Sequence, residues 1–170
     1  MGEALFRASD ILEMAVRIEQ RGAAFYEACL DSGLDPAQRE VFAFLADQEH
    51  RHQAVFSKMK SGVPEESVPE SYRGELQSYV DSFVRDRVFD DPAAAKEKAS
   101  ALASSGEAVD WALDFERRSI EFYRGMEGVL RPSESETLAE IIEEEKDHIR
   151  RLEGLRRKME EGDGEGSAQV

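Results

Sequence analysis

Two glutamate–histidine pairs, Glu49-x-x-His52 and Glu145-x-x-His148, carry the chemistry this sequence offers. Residues three apart share a face of a helix. Around the first pair that face is otherwise apolar, running Phe42, Leu45, then Phe56 and Met59 in steps of three and four. A carboxylate and an imidazole therefore stand where core side chains belong. The second pair sits in the row Leu138, Ile141, Glu145, His148, Leu152, Leu155, which matches the first position for position at an offset of 96 residues. Burying a charged carboxylate without a partner costs on the order of several kcal/mol. Something must compensate for it, and a metal ion would.

A second repeat adds two lone glutamates. IEQRGAAFYEAC (18–29) and FERRSIEFYRGM (115–126) align at an offset of 97 residues. Their rows are Leu12, Ala15, Glu19, Gly22, Tyr26, Cys29 and Val109, Ala112, Glu116, Ser119, Tyr123, Met126. Each copy places one glutamate on an apolar seam. Two copies of such a pattern are hard to ascribe to accident.

Four helices must position these residues. The first is expected from Asp10, capped with Glu13, to near Ser32-Gly33. The second starts at Asp35-Pro36 with Gln38 at its third position and ends near Met59 or Lys60. Glu19 and Glu49 are then equidistant from the turn near Leu34, each about 22 Å away at 1.5 Å per residue. The third helix is expected over 107–130 and the fourth from a Ser133/Glu136 cap to about Glu161, with Glu116 and Glu145 level about the turn near Arg131. No Lys or Arg occupies the seam at this height, so ion pairing is a poor explanation for the buried acids. Two ferrous ions would bring four positive charges against four carboxylates.

Between the second and third helices lie some 45 residues, far more than a turn between adjacent antiparallel helices needs. Residues 61–71 read as loop and 72–89 as an ambiguous helix packed on the bundle. Asp91-Pro92 opens an alanine-rich helix over 93–103, broken by Gly106. The expected fold is all-α: a four-helix bundle with one long, partly helical crossover between helices 2 and 3. The crossover leaves helix 3 parallel to helix 2 and relates the two hairpins by a pseudo-twofold. Residues 1–162 form the bundle and 163–170 a disordered acidic tail.

The 170 residues fit one domain. A formal charge of −15 argues against nucleic acid and anionic membranes as partners. With Cys29 alone, the chain can form no internal disulfide and no Cys-rich iron site of the rubredoxin type. There is no signal-peptide pattern at Met1 and no apolar run of membrane-spanning length, so a cytoplasmic location is expected.

The stretches IEQRGAAFYE, LADQEHRHQAVF, FERRSIEFY and IIEEEKDHIRRL resemble the rubrerythrin branch of the ferritin-like di-iron carboxylate proteins. The resemblance implies a non-haem di-iron site that reduces hydrogen peroxide in a cytoplasmic stress protein, as a homodimer or higher oligomer. It puts Glu19, Glu49, His52, Glu116, Glu145 and His148 in the metal-ligand positions. Two departures are visible. The cysteines of the rubredoxin domain carried by rubrerythrins proper are missing, so electrons would come from a separate donor such as a rubredoxin-type protein. Ser119 stands where those proteins carry an extra glutamate. The nearer likeness is to single-domain, rubrerythrin-like ferritins.

Glu49 and Glu145 are the candidates to bridge the irons, with Glu19 and Glu116 terminal and one histidine on each. Fe/Fe is the expected pair, although Mn/Mn and Fe/Mn suit the same ligands. Tyr26 and Tyr123, two turns beyond the lone glutamates, read as core tyrosines or as donors behind the ligands. His50 reads as surface, Cys29 as a small buried hydrophobe, and Glu143, Glu144 and Asp147 as solvated. Peroxide reduction leads. A ferroxidase using O2 for iron storage or delivery, a non-enzymatic metal-binding module and an oxygenase are the alternatives.

Overall fold

The computed structural model describes residues 7–63, 92–102, 104–128 and 130–166, with side chains described up to residue 162. Five helices run in order: α1 (Ala8–Leu30), α2 (Pro36–Gly62), α3 (Pro92–Ala101), α4 (Ser105–Met126) and α5 (Pro132–Gly166). No β-strand occurs among the described residues. The loop expected over 61–71 and the helix considered over 72–89 lie, from residue 64 on, outside them. No described helix is long and apolar enough to cross a membrane.

The start of α2 follows its local sequence. Asp35 Oδ1 accepts from Gln38 N at 2.9 Å, and Gln38 Oε1 accepts from Asp35 N at 3.1 Å. Pro36 takes the first helical position, where no amide proton is needed. Other boundaries differ from expectation. The first helix begins before Asp10, which sits inside it at the third position and accepts from Arg7 N at 2.9 Å. The last begins at Pro132 rather than after Ser133, with Glu134 Oε2 accepting from Arg131 N at 3.1 Å. Gly106 lies within the first turn of α4, which Ser104 caps by accepting from Glu107 N at 3.2 Å. That helix stops at Met126, short of Leu130, whereas α5 runs past Glu161 to Gly166.

Two apolar clusters fill the bundle. One combines Leu12 and Ala15 of α1, Phe56 and Met59 of α2, Tyr123 and Met126 of α4, and Leu138 and Ile141 of α5. The other holds Tyr26 and Cys29, Phe42 and Leu45, Val109 and Ala112, and Leu152 and Leu155 from the opposite ends of the same helices. This distribution makes α1 antiparallel to α2, α4 antiparallel to α5, and α2 parallel to α4, as the long crossover requires. Ala95 and Ala99 of α3, one turn apart and buried, pack against α1 beside the second cluster. Each large apolar side chain buried in these clusters contributes about 1.5–3 kcal/mol. Between the clusters, in one layer, lie the buried glutamates and histidines.

Candidate metal centre

All six expected ligands converge in that layer. Glu19 comes from α1, Glu49 and His52 from α2, Glu116 from α4, Glu145 and His148 from α5, and none is more than 2% exposed. They fall into two overlapping groups. Ligand atoms of Glu19, Glu49, His52 and Glu145 lie within 4.8 Å of one another, and so do those of Glu49, Glu116, Glu145 and His148. Glu49 and Glu145 belong to both groups, while each lone glutamate pairs with one histidine.

The imidazoles turn Nδ1 inward. His52 Nδ1 is 3.1 Å from Glu145 Oε1 and 3.5 Å from Glu19 Oε2. His148 Nδ1 is 2.8 Å from Glu145 Oε2, 3.5 Å from Glu116 Oε1 and 3.7 Å from Glu49 Oε1. The two rings stack at 5.6 Å with 22° between their planes. These approaches are close but do not have hydrogen-bonding geometry. Glu19 Oε2, Glu49 Oε1, Glu116 Oε2, Glu145 Oε2 and both Nδ1 atoms are buried without a hydrogen-bond partner. Buried polar atoms are almost always paired. Six that are not, all in one layer and all oxygen or imidazole nitrogen, fit a pair of divalent cations.

The outer atoms of the two lone glutamates are held. Tyr26 Oη on α1 donates to Glu116 Oε1 on α4 at 2.6 Å, and Tyr123 Oη on α4 donates to Glu19 Oε1 on α1. The exchange is reciprocal, as the pseudo-twofold demands. Gly22, one turn from Glu19, clears space for Glu49. A methyl group there would lie 2.9 Å from both Glu49 Cδ and Phe115 Cε1.

Without metal, the electrostatics are those of four acids crowded in a low-dielectric layer. Burial, then the neighbouring charge of Glu145, pushes the Glu116 carboxyl up to about 8 against the opposing pull of His148. Burial also raises Glu49, reinforced by Glu19, Glu116 and Glu145. Glu145 goes the other way: burial opposes its ionisation, but His148 and His52 outweigh it and hold it below the ordinary carboxylate range. Burial likewise opposes charge on the histidines, yet their glutamate neighbours raise His52 to about 11 and His148 to about 10. Tyr26 and Tyr123 are raised by burial and by the surrounding carboxylates, so both keep their protons.

A family model for rubrerythrin matches the chain from residue 10 to residue 155. The chain belongs to the rubrerythrin family. A ferritin-like diiron-carboxylate protein from Thermotoga maritima, known from a crystal structure, shares the fold with a TM-score of 0.70. It is 25% identical, over 93% of this chain and 99% of that one. Comparison with curated proteins found no match. The rubrerythrin repeat thus places its buried acids and imidazoles where two metal ions could be held.

Two residues of the site escape sequence reasoning. Glu144 is exposed, as expected, but its Oε2 also lies 2.7 Å from His52 Nε2. Its place one residue before Glu145 gives no sign of that contact, which depends on how α5 faces α2. The need for Gly22 depends in the same way on the α1–α2 spacing. The readings of His50 and Cys29 agree with the structure. His50 is exposed and 2.8 Å from Glu27. Cys29 is buried, and burial pushes its thiol up to about 12.

Proposed function

We propose that this chain is a di-iron oxidoreductase that reduces hydrogen peroxide with electrons from a separate donor, such as a rubredoxin-type protein. The observation that carries the reading is the pair of overlapping donor groups sharing Glu49 and Glu145. Glu19 and His52 would hold one ion, Glu116 and His148 the other, with Glu49 and Glu145 between them. Carboxylate with imidazole suits iron, and also manganese or a mixed pair, better than a thiophilic metal. When bound, two Fe(II) ions supply two electrons, the number that takes one H2O2 and two protons to two water molecules.

The chain's own residues set the conditions for that chemistry. The two apolar clusters keep bulk water from the layer. Tyr26 and Tyr123 keep their hydroxyl protons on Glu116 and Glu19, fixing the rotamers of both terminal glutamates. Their hydroxyl donors also offset part of the negative charge on those two carboxylates. A cytoplasmic homodimer or larger homo-oligomer is part of the proposal.

Stopped-flow absorbance on anaerobically Fe(II)-loaded protein, mixed separately with H2O2 and with O2, tests it. Much faster oxidation by H2O2 is expected. Faster oxidation by O2 would replace the proposal with a ferroxidase or oxygenase. Metal uptake with no oxidation by either would leave a binding module.

A further inference from the structure

The two halves of the site are related by the repeat, but the surroundings of their histidines are not. Behind His52, the Glu144 carboxylate reaches across from α5 to Nε2 at 2.7 Å. An ionised carboxylate only accepts, so Nε2 must keep a proton, and Nδ1 is the nitrogen left to give its proton up to a metal. At the repeat position of Glu144, 96 residues earlier, α2 carries Gln48. Gln48 does not serve His148: its Oε1 accepts from Arg51 Nη1 at 3.1 Å. His148 Nε2 is buried and has no hydrogen-bond partner among the described residues. Besides the stacked His52 ring, His148 is bordered by Phe44, edge-on at 5.9 Å and 89°, itself covered by the Arg151 guanidinium at 4.2 Å. The repeat counterpart of Phe44 is Glu140, which is exposed.

We propose that Glu144 is a positioning residue that makes the Glu19–His52 metal position the tighter one, so that the two positions fill in order. A carboxylate on the outer nitrogen fixes the tautomer and the ring and makes the inner nitrogen a stronger donor. His148 has neither, and an apolar rim with a cation above it disfavours further positive charge. The inference rests on the two-metal reading of the site. It extends that reading to a route by which one chain could take two different metals in sequence.

Anaerobic titration with Co(II), followed by ligand-field absorbance and by the paramagnetically shifted ring N–H signals, separates the steps. Wild-type protein should bind two Co(II) in two resolved steps, the first giving an N–H signal that exchanges slowly with solvent because Glu144 holds it. Glu144→Ala should weaken the first step by about 10- to 100-fold and turn that signal fast-exchanging. Glu144→Gln, which keeps an acceptor but loses the charge, should fall between. Glu143→Ala removes a neighbouring exposed carboxylate paired with Lys146 and should change neither step. These are surface or half-exposed positions, and circular dichroism checks that the variants fold. Two equal steps in wild type, equal weakening of both steps in Glu144→Ala, or the same effect from Glu143→Ala would overturn the proposal. Failure of wild type to bind two ions would overturn the two-metal reading itself.

Discussion

At the scale of single residues, the centre depends as much on what is small as on what is charged. Gly22 has no positive φ to explain it, and among the described residues no glycine does. Its role is clearance. A Cβ would meet the Glu49 carboxylate and the Phe115 ring, and Phe115 is buried in the core and closely packed. Gly22→Ala should therefore displace the shared carboxylate. We expect its metal affinity to fall by at least about tenfold with the helical content kept, since a ~1 Å misplacement of a ligand is enough for that. Isothermal titration with Fe(II) or Co(II) checks it, and unchanged affinity would show that Glu49 is not held by this contact. The counterpart of Gly22 in the repeat is Ser119, whose hydroxyl is turned away from the site to Phe115 O at 3.1 Å. The same helix position thus serves one half by leaving room and the other by closing its own backbone.

At the scale of elements, α2 is the helix whose start is written most locally. Asp35→Ala removes one half of the reciprocal cap and should cost about 1 kcal/mol in urea unfolding of the metal-free protein. Gln38 also ties this end to α4 through Nε2 to Ser105 Oγ at 3.1 Å, so no loss in Asp35→Ala would mean that this tie alone fixes the end. The legibility of the other elements follows from the same distinction. Helix existence, pairing and the parallel course of α2 and α4 could be read because the apolar rows and the length of the crossover are properties of the sequence. The six acid and imidazole positions that meet in the layer were legible for the same reason: each interrupts an apolar row. The starts of α1 and α5 were not. Both use an arginine at the cap, whose backbone N–H is accepted by an acid three residues on, Asp10 or Glu134. A search for Ser or Asp at the cap passes over that arrangement. The contacts of Tyr26, Tyr123 and Glu144 cross between helices, and rotation of one helix about its axis by a fraction of a turn would break them. No single-helix pattern encodes such a rotation.

At the scale of the whole molecule, the metal-free bundle carries an electrostatic cost that metal would relieve, and the sign of its pH dependence follows. Glu116 is raised from 4.5 to about 8, His52 from 6.5 to about 11 and His148 from 6.5 to about 10. Each binds its proton more tightly in the folded chain, so each stabilises the metal-free fold fully below its ordinary value. That stabilisation is lost as pH rises toward the folded value. Glu145 has the opposite sign, and its contribution is lost only in acid. Metal must displace the same protons from the histidines and Glu116, so its affinity rises over the range in which the metal-free fold weakens. The increase in Tm on adding metal should therefore be larger at about pH 8.5 than at about pH 6. An increase that shrinks with pH would contradict the electrostatics described for the layer. The central claim is that two metal ions share Glu49 and Glu145. Iron per chain, measured after anaerobic loading with Fe(II) and removal of the excess, tests it most directly. Wild type should retain two, and Glu145→Ala should retain none, because that carboxylate serves both positions. Retention of one tightly bound iron by Glu145→Ala, or of two, would contradict the shared centre.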